Sequence, residues 1–108
     1  SPPTSGPHYP IAPAGGIYDF TLSPLEQVAF LESGGVIVQY HPNRIENNLG
    51  KLTLLANNNV IVSPNLTLNI PVIGTAWTWK ISCKNFDTTA LQGFIADYVG
   101  KAEANHRK

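Results

Sequence analysis

The sequence predicts an α+β fold: a small single-domain sandwich in which helices cover a mixed sheet of about three strands, preceded by an extended Pro/Gly-rich N-terminal arm. Three observations carry this prediction. Two short apolar runs, Val36-Ile37-Val38 and Val60-Ile61-Val62, read as strands, the first of them covered on both faces. Segments with helical spacing and good caps lie before, between and after them. A third stretch, from Ile70 to Ile81, is rich in β-formers. With 108 residues the chain makes one domain with a core of its own. Its expected parts are an arm over 1–22 packed on the domain, a core over 23–101 and a polar tail over 102–108.

Residues 1–16 carry Pro2, Pro3, Pro7, Pro10 and Pro13 with Gly6, Gly15 and Gly16, which excludes a helix or a central strand. Tyr9, Ile11, Ile17, Tyr18 and Phe20 are too many apolar side chains for a free tail, so the arm is expected to lie across the domain; the alternative is a disordered linker. Ser23-Pro24-Leu25-Glu26 then starts a helix. Ser23 can cap free N–H groups, Pro24 suits the first helical position and Glu26 completes a capping box. This helix is expected to run to Glu32 or Ser33, to turn Leu25, Val28, Ala29 and Leu31 inward, and to stop at Gly34.

The strand from Gly35 to His41 follows at once, and its apolar run makes it central. Pro42 ends it. Ile45, Leu49, Leu52 and Ala56 stand near helical spacing and predict a helix over 43–56, with Asn57-Asn58-Asn59 as the turn behind it. The strand at Val60 is then reached by a crossover and should run parallel to the first. Ile70 to Ile81 reads as one long strand, antiparallel either to Val60–Ser63 or to the central strand, with Trp77, Trp79 and Ile81 on a helix-covered face. Asp87 caps a last helix bearing Leu91, Phe94, Ile95 and Tyr98, and Gly100 supplies its stop.

Composition narrows the function. Seven basic residues match seven acidic ones, so the chain has no field for a polyanion, and nucleic acid is excluded as a partner. Charged residues make up 13%, against about 25% in an average globular protein. A surface with few charges and no net charge lacks the self-repulsion that keeps copies apart. No apolar run approaches the roughly 18 residues of a membrane span and no signal-peptide pattern is present, so the chain as given is not expected to insert in a membrane. The single Cys83 rules out an internal disulfide and suits a cytosolic or an exported home equally.

Few residues offer chemistry. There is no phosphate-binding glycine motif, paired-cysteine metal motif or nucleophile elbow. His8, His41 and His106 are far apart and meet only if the fold brings them together. Cys83 reads as a buried, inert thiol. Asn65-Leu66-Thr67 matches the glycosylation acceptor pattern, with an unmodified loop as the plainer reading. Trp77 and Trp79 could wall a small-ligand pocket, although core packing is the expected use. Glu32 stands out: a carboxylate at a helix C-terminus opposes the helix dipole and needs a reason to be there.

Pro2-Pro3-Thr4-Ser5-Gly6-Pro7-His8-Tyr9, followed by Gly16-Ile17-Tyr18, resembles the opening motif of a family of bacterial, mainly actinobacterial, extracytoplasmic domains of unknown function. Val28 to Tyr40 is similar to that family's L-V-H-S-L-E-H-G-G-V-V-V-x-Y segment. Ile70-Pro71-Val72 with Thr75-Ala76-Trp77, and Phe86-Asp87 with Phe94-Ile95, resemble its later motifs. The resemblance implies a metal site in typical members, since two histidines four apart share a helix face. Here those positions hold Ala29 and Ser33. His8 and Glu32 remain, and two ligands do not make a tight zinc or copper site.

The resulting expectation is a non-catalytic module, extracellular or at the cell surface, without a cofactor. It acts through its surface and N-terminal arm, by self-association or on a protein partner, and a hydrogen bond between His8 and Glu32 latches the arm to the helix end. The alternative is a residual copper, zinc or enzymatic site made by His8, Glu32 and His41, with Ser33 contributing.

Overall fold

The computed structural model describes residues 12–101. In chain order these form β1 (Gly16–Ile17), α1 (Pro24–Glu32), β2 (Val36–Tyr40), α2 (Leu49–Thr53), β3 (Val60–Pro64), β4 (Val72–Ala76), β5 (Trp79–Cys83) and α3 (Thr88–Tyr98). The sheet order is β1-β3-β2-β4-β5, which places β2 at the centre as its apolar run predicts. All five of its residues are buried. β3 lies parallel to β2, with Val36 beside Val60 and Val38 beside Val62. β4 takes the other side of β2, antiparallel, and pairs Ile37 with Thr75.

The strand period of two divides the core. Ile37 and Ile61 face α1 and form a small cluster with Leu22 and Phe30. Val36, Val38, Val60, Val62 and Val72 face the opposite side, where Leu52, Leu91 and Phe94 close a larger cluster. Both helix caps form as the sequence predicts. Ser23 Oγ accepts the Glu26 N–H at 3.2 Å while Glu26 Oε1 accepts the Ser23 N–H at 3.1 Å. Asp87 Oδ1 accepts the Ala90 N–H at 3.0 Å.

Four expectations are corrected. The mixed sheet has five strands rather than about three. One addition is β1, a two-residue strand parallel to β3, which the glycines of the arm disguise. The other arises because the single strand expected over 70–81 is a hairpin: Ala76 pairs with Trp79 across the two residues Trp77 and Thr78. Thr78 turns at φ 68°, a conformation usually given to glycine, and a β-branched residue held there stores about 1–3 kcal/mol. No turn residue announces that bend.

The helix expected over 43–56 contracts to α2. Its first half is a run of turns, in which Glu46 adopts φ 52° and the Arg44 N–H reaches His41 O at 2.9 Å. Finally, α1 is rotated from the expected face. Leu25 is 68% and Val28 43% exposed, Phe30 at 4% is the residue that enters the core, and Leu31 packs against the smaller cluster as expected. Apolar side chains surround most of this short helix, so periodicity alone did not select the inner face.

Candidate functional site

The corner between α1 and β2 is made by two glycines with different tasks. Gly34 has φ 96°, the left-handed geometry that ends a helix without a Cβ penalty. Its carbonyl accepts the Gly100 N–H at 2.7 Å, which ties the end of α3 to the corner. Gly35 serves packing instead. A Cβ built there would stand 2.3 Å from Phe30 Cε2, so the missing side chain is what lets the Phe30 ring lie against the strand. The Gly35 N–H returns to Phe30 O at 3.0 Å and closes the turn.

Beyond this corner, the α1 side of the sheet continues onto β4 and β5. Register places Ile73, Thr75, Lys80 and Ser82 on that face; the first two are half-buried and the last two exposed. At the hairpin tip a groove of about 340 Å³ is lined by Leu31 of α1 and by Thr75 to Lys80. Trp77 is half-buried in its wall. Trp79 is 50% exposed, and its ring stacks on Tyr98 of α3 with centroids 4.9 Å apart and 21° between planes. Neither tryptophan belongs to the buried core, contrary to the expected core packing. A tight turn leaves no room to bring both rings under one helix.

The sequence-selected residues fall in separate places. His8 lies outside the described residues, as do His106, the first eleven residues of the arm and the tail, so the His8–Glu32 latch has no described geometry. Glu32 is exposed on the last turn of α1. His41 follows the far end of β2, and the six residue steps from Gly35 to His41 span about 20 Å of extended chain. The structure therefore does not bring Glu32 and His41 together. His41 Nδ1 accepts the Asn43 N–H at 3.0 Å, and the His41 N–H donates to Pro71 O at 2.9 Å. Ser33 Oγ donates to Phe30 O at 2.7 Å, so its hydroxyl serves the helix end. Among the described residues no three His, Cys, Asp or Glu side chains gather closely enough for a metal ion.

Asn65 is half-buried at the end of β3. Its Nδ2, the atom a glycan would occupy, donates to Gln39 Oε1 at 2.8 Å, while its Oδ1 accepts from the Thr67 N–H at 2.9 Å and from Thr67 Oγ1 at 2.6 Å. Gln39 belongs to no motif that would mark it in the sequence. It is 6% exposed on β2, and its Nε2 reaches Gln27 Oε1 of α1 at 3.5 Å. Gln27 Nε2 in turn donates to Leu22 O at 2.9 Å. This amide chain joins helix, central strand and the loop after β3. The available signal was the one polar residue interrupting an otherwise apolar central strand.

Two groups near the larger cluster have shifted protonation. Burial pushes the Cys83 thiol above its ordinary pKa, and the Asp87 carboxylate adds to the effect. The thiol is thereby held protonated and poorly nucleophilic. Burial also raises Tyr40, with a further contribution from Asp19. Amides, a protonated thiol and a protonated phenol can position and pack. They supply no general base near neutral pH.

The sequence profile of a family of proteins of unknown function, DUF3105, matches residues 1–108. The chain belongs to that family. No curated protein and no solved structure matches it. For this DUF3105 chain, no described helix is long and apolar enough to cross a membrane.

Proposed function

We propose that this DUF3105 chain is a non-catalytic extracytoplasmic module that acts through its surface and its N-terminal arm, as a structural or self-associating component. The observation that carries the reading is a run of exposed apolar side chains along β1, the loop that follows it and the first turns of α1. Ile17 is 62%, Phe20 54%, Leu25 68% and Val28 43% exposed within one short segment. Each large apolar side chain buried on association contributes about 1.5–3 kcal/mol, and a chain of zero net charge meets little repulsion from its own copies. The extracytoplasmic placement rests on the resemblance of the opening motif.

Sedimentation equilibrium tests the self-association. The expected result is a mass that rises with concentration above the 11.7 kDa monomer, and a return toward the monomer when Leu25 and Val28 are both changed to Ser. A strictly monomeric chain at high concentration would overturn the reading. Fractionation of the producing cells tests the placement, with the chain expected outside the cytoplasm.

A further inference from the structure

We propose that the pocket at the C-terminal end of β2 is a binding site for an acidic α-amino acid, held by Arg44, Lys84 and Glu46. The site is separate from the apolar segment that carries self-association, and either can exist without the other.

The sheet builds this pocket from three segments distant in sequence. Tyr40 pairs with Val72 and Val72 with Cys83, so one end of β2, of β4 and of β5 stand level. Residues 41, 71 and 84 come one step beyond those pairs, and the His41 N–H joins the first two by donating to Pro71 O at 2.9 Å. The turns that follow β2 and β5, together with Pro71, line a pocket of about 330 Å³. Small-molecule sites occupy about 300–1,000 Å³, so this one suits a ligand of amino-acid size. Ile45, 3% exposed in the larger cluster, and Phe86, packed against that cluster, form its apolar wall. The lining comes from the middle of the described chain, at the opposite end of the sheet from Gly15, which abuts Asn57, and from Gly100, whose N–H donates to Gly34 O.

Five polar side chains converge on that wall. Among the described residues, the side chains of Arg44, Glu46 and Lys84 make no hydrogen bond or ion pair with the rest of the chain. Asn48 stands at the N-cap position of α2, where an asparagine ordinarily caps, yet its side chain makes no capping bond. With Asn85 it brings amide donors and acceptors to the lining. Glu46 is held at φ 52°, and strained backbone of this kind gathers at ligand clamps. Charge then selects the ligand. Arg44 and Lys84 supply two positive charges and Glu46 one negative charge, while the neighbouring Asp87 is occupied in capping α3, its Oδ1 accepting the Ala90 N–H at 3.0 Å. A simple anion would be opposed by the Glu46 carboxylate. An acidic amino acid answers each group: its two carboxylates pair with Arg44 and Lys84, and its ammonium pairs with Glu46. Arg44 can grip a carboxylate with two parallel N–H donors, and Lys84 acts as a point charge.

The test titrates the full isotope-labelled chain with L-glutamate and follows its amide signals, those of the Asn48 and Asn85 side chains above all. The expected result is saturable shifts confined to residues 44–48 and 84–86, with a Kd below about 1 mM. Glutarate, which lacks the ammonium group, should bind about tenfold more weakly, and inorganic phosphate should give no saturable shift at these residues. Arg44→Gln and Lys84→Gln should each weaken glutamate binding about tenfold. Glu46→Gln should weaken glutamate but leave glutarate binding at least as tight, a reversal that a general loss of structure does not produce. No saturable shift at about 10 mM glutamate would overturn the proposal, as would shifts centred on other residues. Equal affinity for glutarate, or saturation by phosphate, would show that positive charge alone draws anions to the pocket and would overturn the amino-acid assignment.

Discussion

The Gly35–Phe30 contact makes a sharp energetic prediction. Gly35→Ala adds one methyl group, and the sites it would meet are three ring atoms of Phe30, at 2.3, 2.5 and 2.7 Å. Real Cβ atoms do not come that close, so the ring must leave its place between α1 and Ile37. Overpacking of this kind costs about 1–3 kcal/mol. The short distances and the confinement of Phe30 by Leu22, Ile37 and Ile61 put the expected loss at the upper end of that range. Phe30→Ala removes the ring and should itself cost about 3–5 kcal/mol.

The decisive quantity is the coupling between the two substitutions. Once the ring is absent the three closest contacts of the new methyl group are gone, so Gly35→Ala in the Phe30→Ala background should cost less than about 1 kcal/mol, a coupling within the range of about 0.5–3 kcal/mol seen for touching residues. Urea unfolding followed by circular dichroism measures all four corners of the cycle, with an unchanged m-value showing that only stability has moved. If Gly35→Ala costs the same with and without the ring, the losses are additive. The steric account of the corner would then be wrong.

Two further predictions concern groups the fold has buried. Asn65→Ala should cost about 1–3 kcal/mol, because it leaves the buried Gln39 Oε1 without its donor, and adding Gln39→Leu should recover most of the loss; equal urea midpoints for Asn65→Ala and the unchanged chain would refute the amide chain as a structural link. For Cys83 the folded pKa lies above the unfolded one, so between those values the unfolded state holds fewer protons and stability falls as pH rises. The fall should begin near the ordinary thiol value, about pH 8.5, and Cys83→Ala should flatten the Cys83 part of it in unfolding measured from pH 7 to 10; an unchanged slope would mean the thiol is not buried as described.

Local signals in this chain were readable where chemistry is local. Ser23 with Glu26, Asp87 and Gly34 each act within a few residues, and each does in the structure what its residue type implies. The same is true of Val36-Ile37-Val38, whose lack of a polar face left only a central position open to it. The hairpin at Trp77-Thr78 was not readable, because both residues are strong β-formers and the turn conformation is imposed by pairing on either side. The candidate site was legible only in part. Glu32, His41 and Asn65 could be singled out by type, but the roughly 20 Å that separate Gly35 from His41 are set by the length of β2.

Taken alone, the sequence determined the class of fold, the caps, the parallel crossover from β2 to β3 and the membership of Val36, Ile37 and Val38 in the core. These follow from backbone preferences and from the free energy of burying apolar runs, both of which are written residue by residue. Tertiary structure alone decided which way α1 faces, where the sheet turns back, and that Gln39, Gln27 and Asn65 form one chain of amides. The reason is the same in each case. α1 has apolar residues on several sides, and the winner was chosen by the space above Gly35, which admits the Phe30 ring and turns Leu25 and Val28 to the outside.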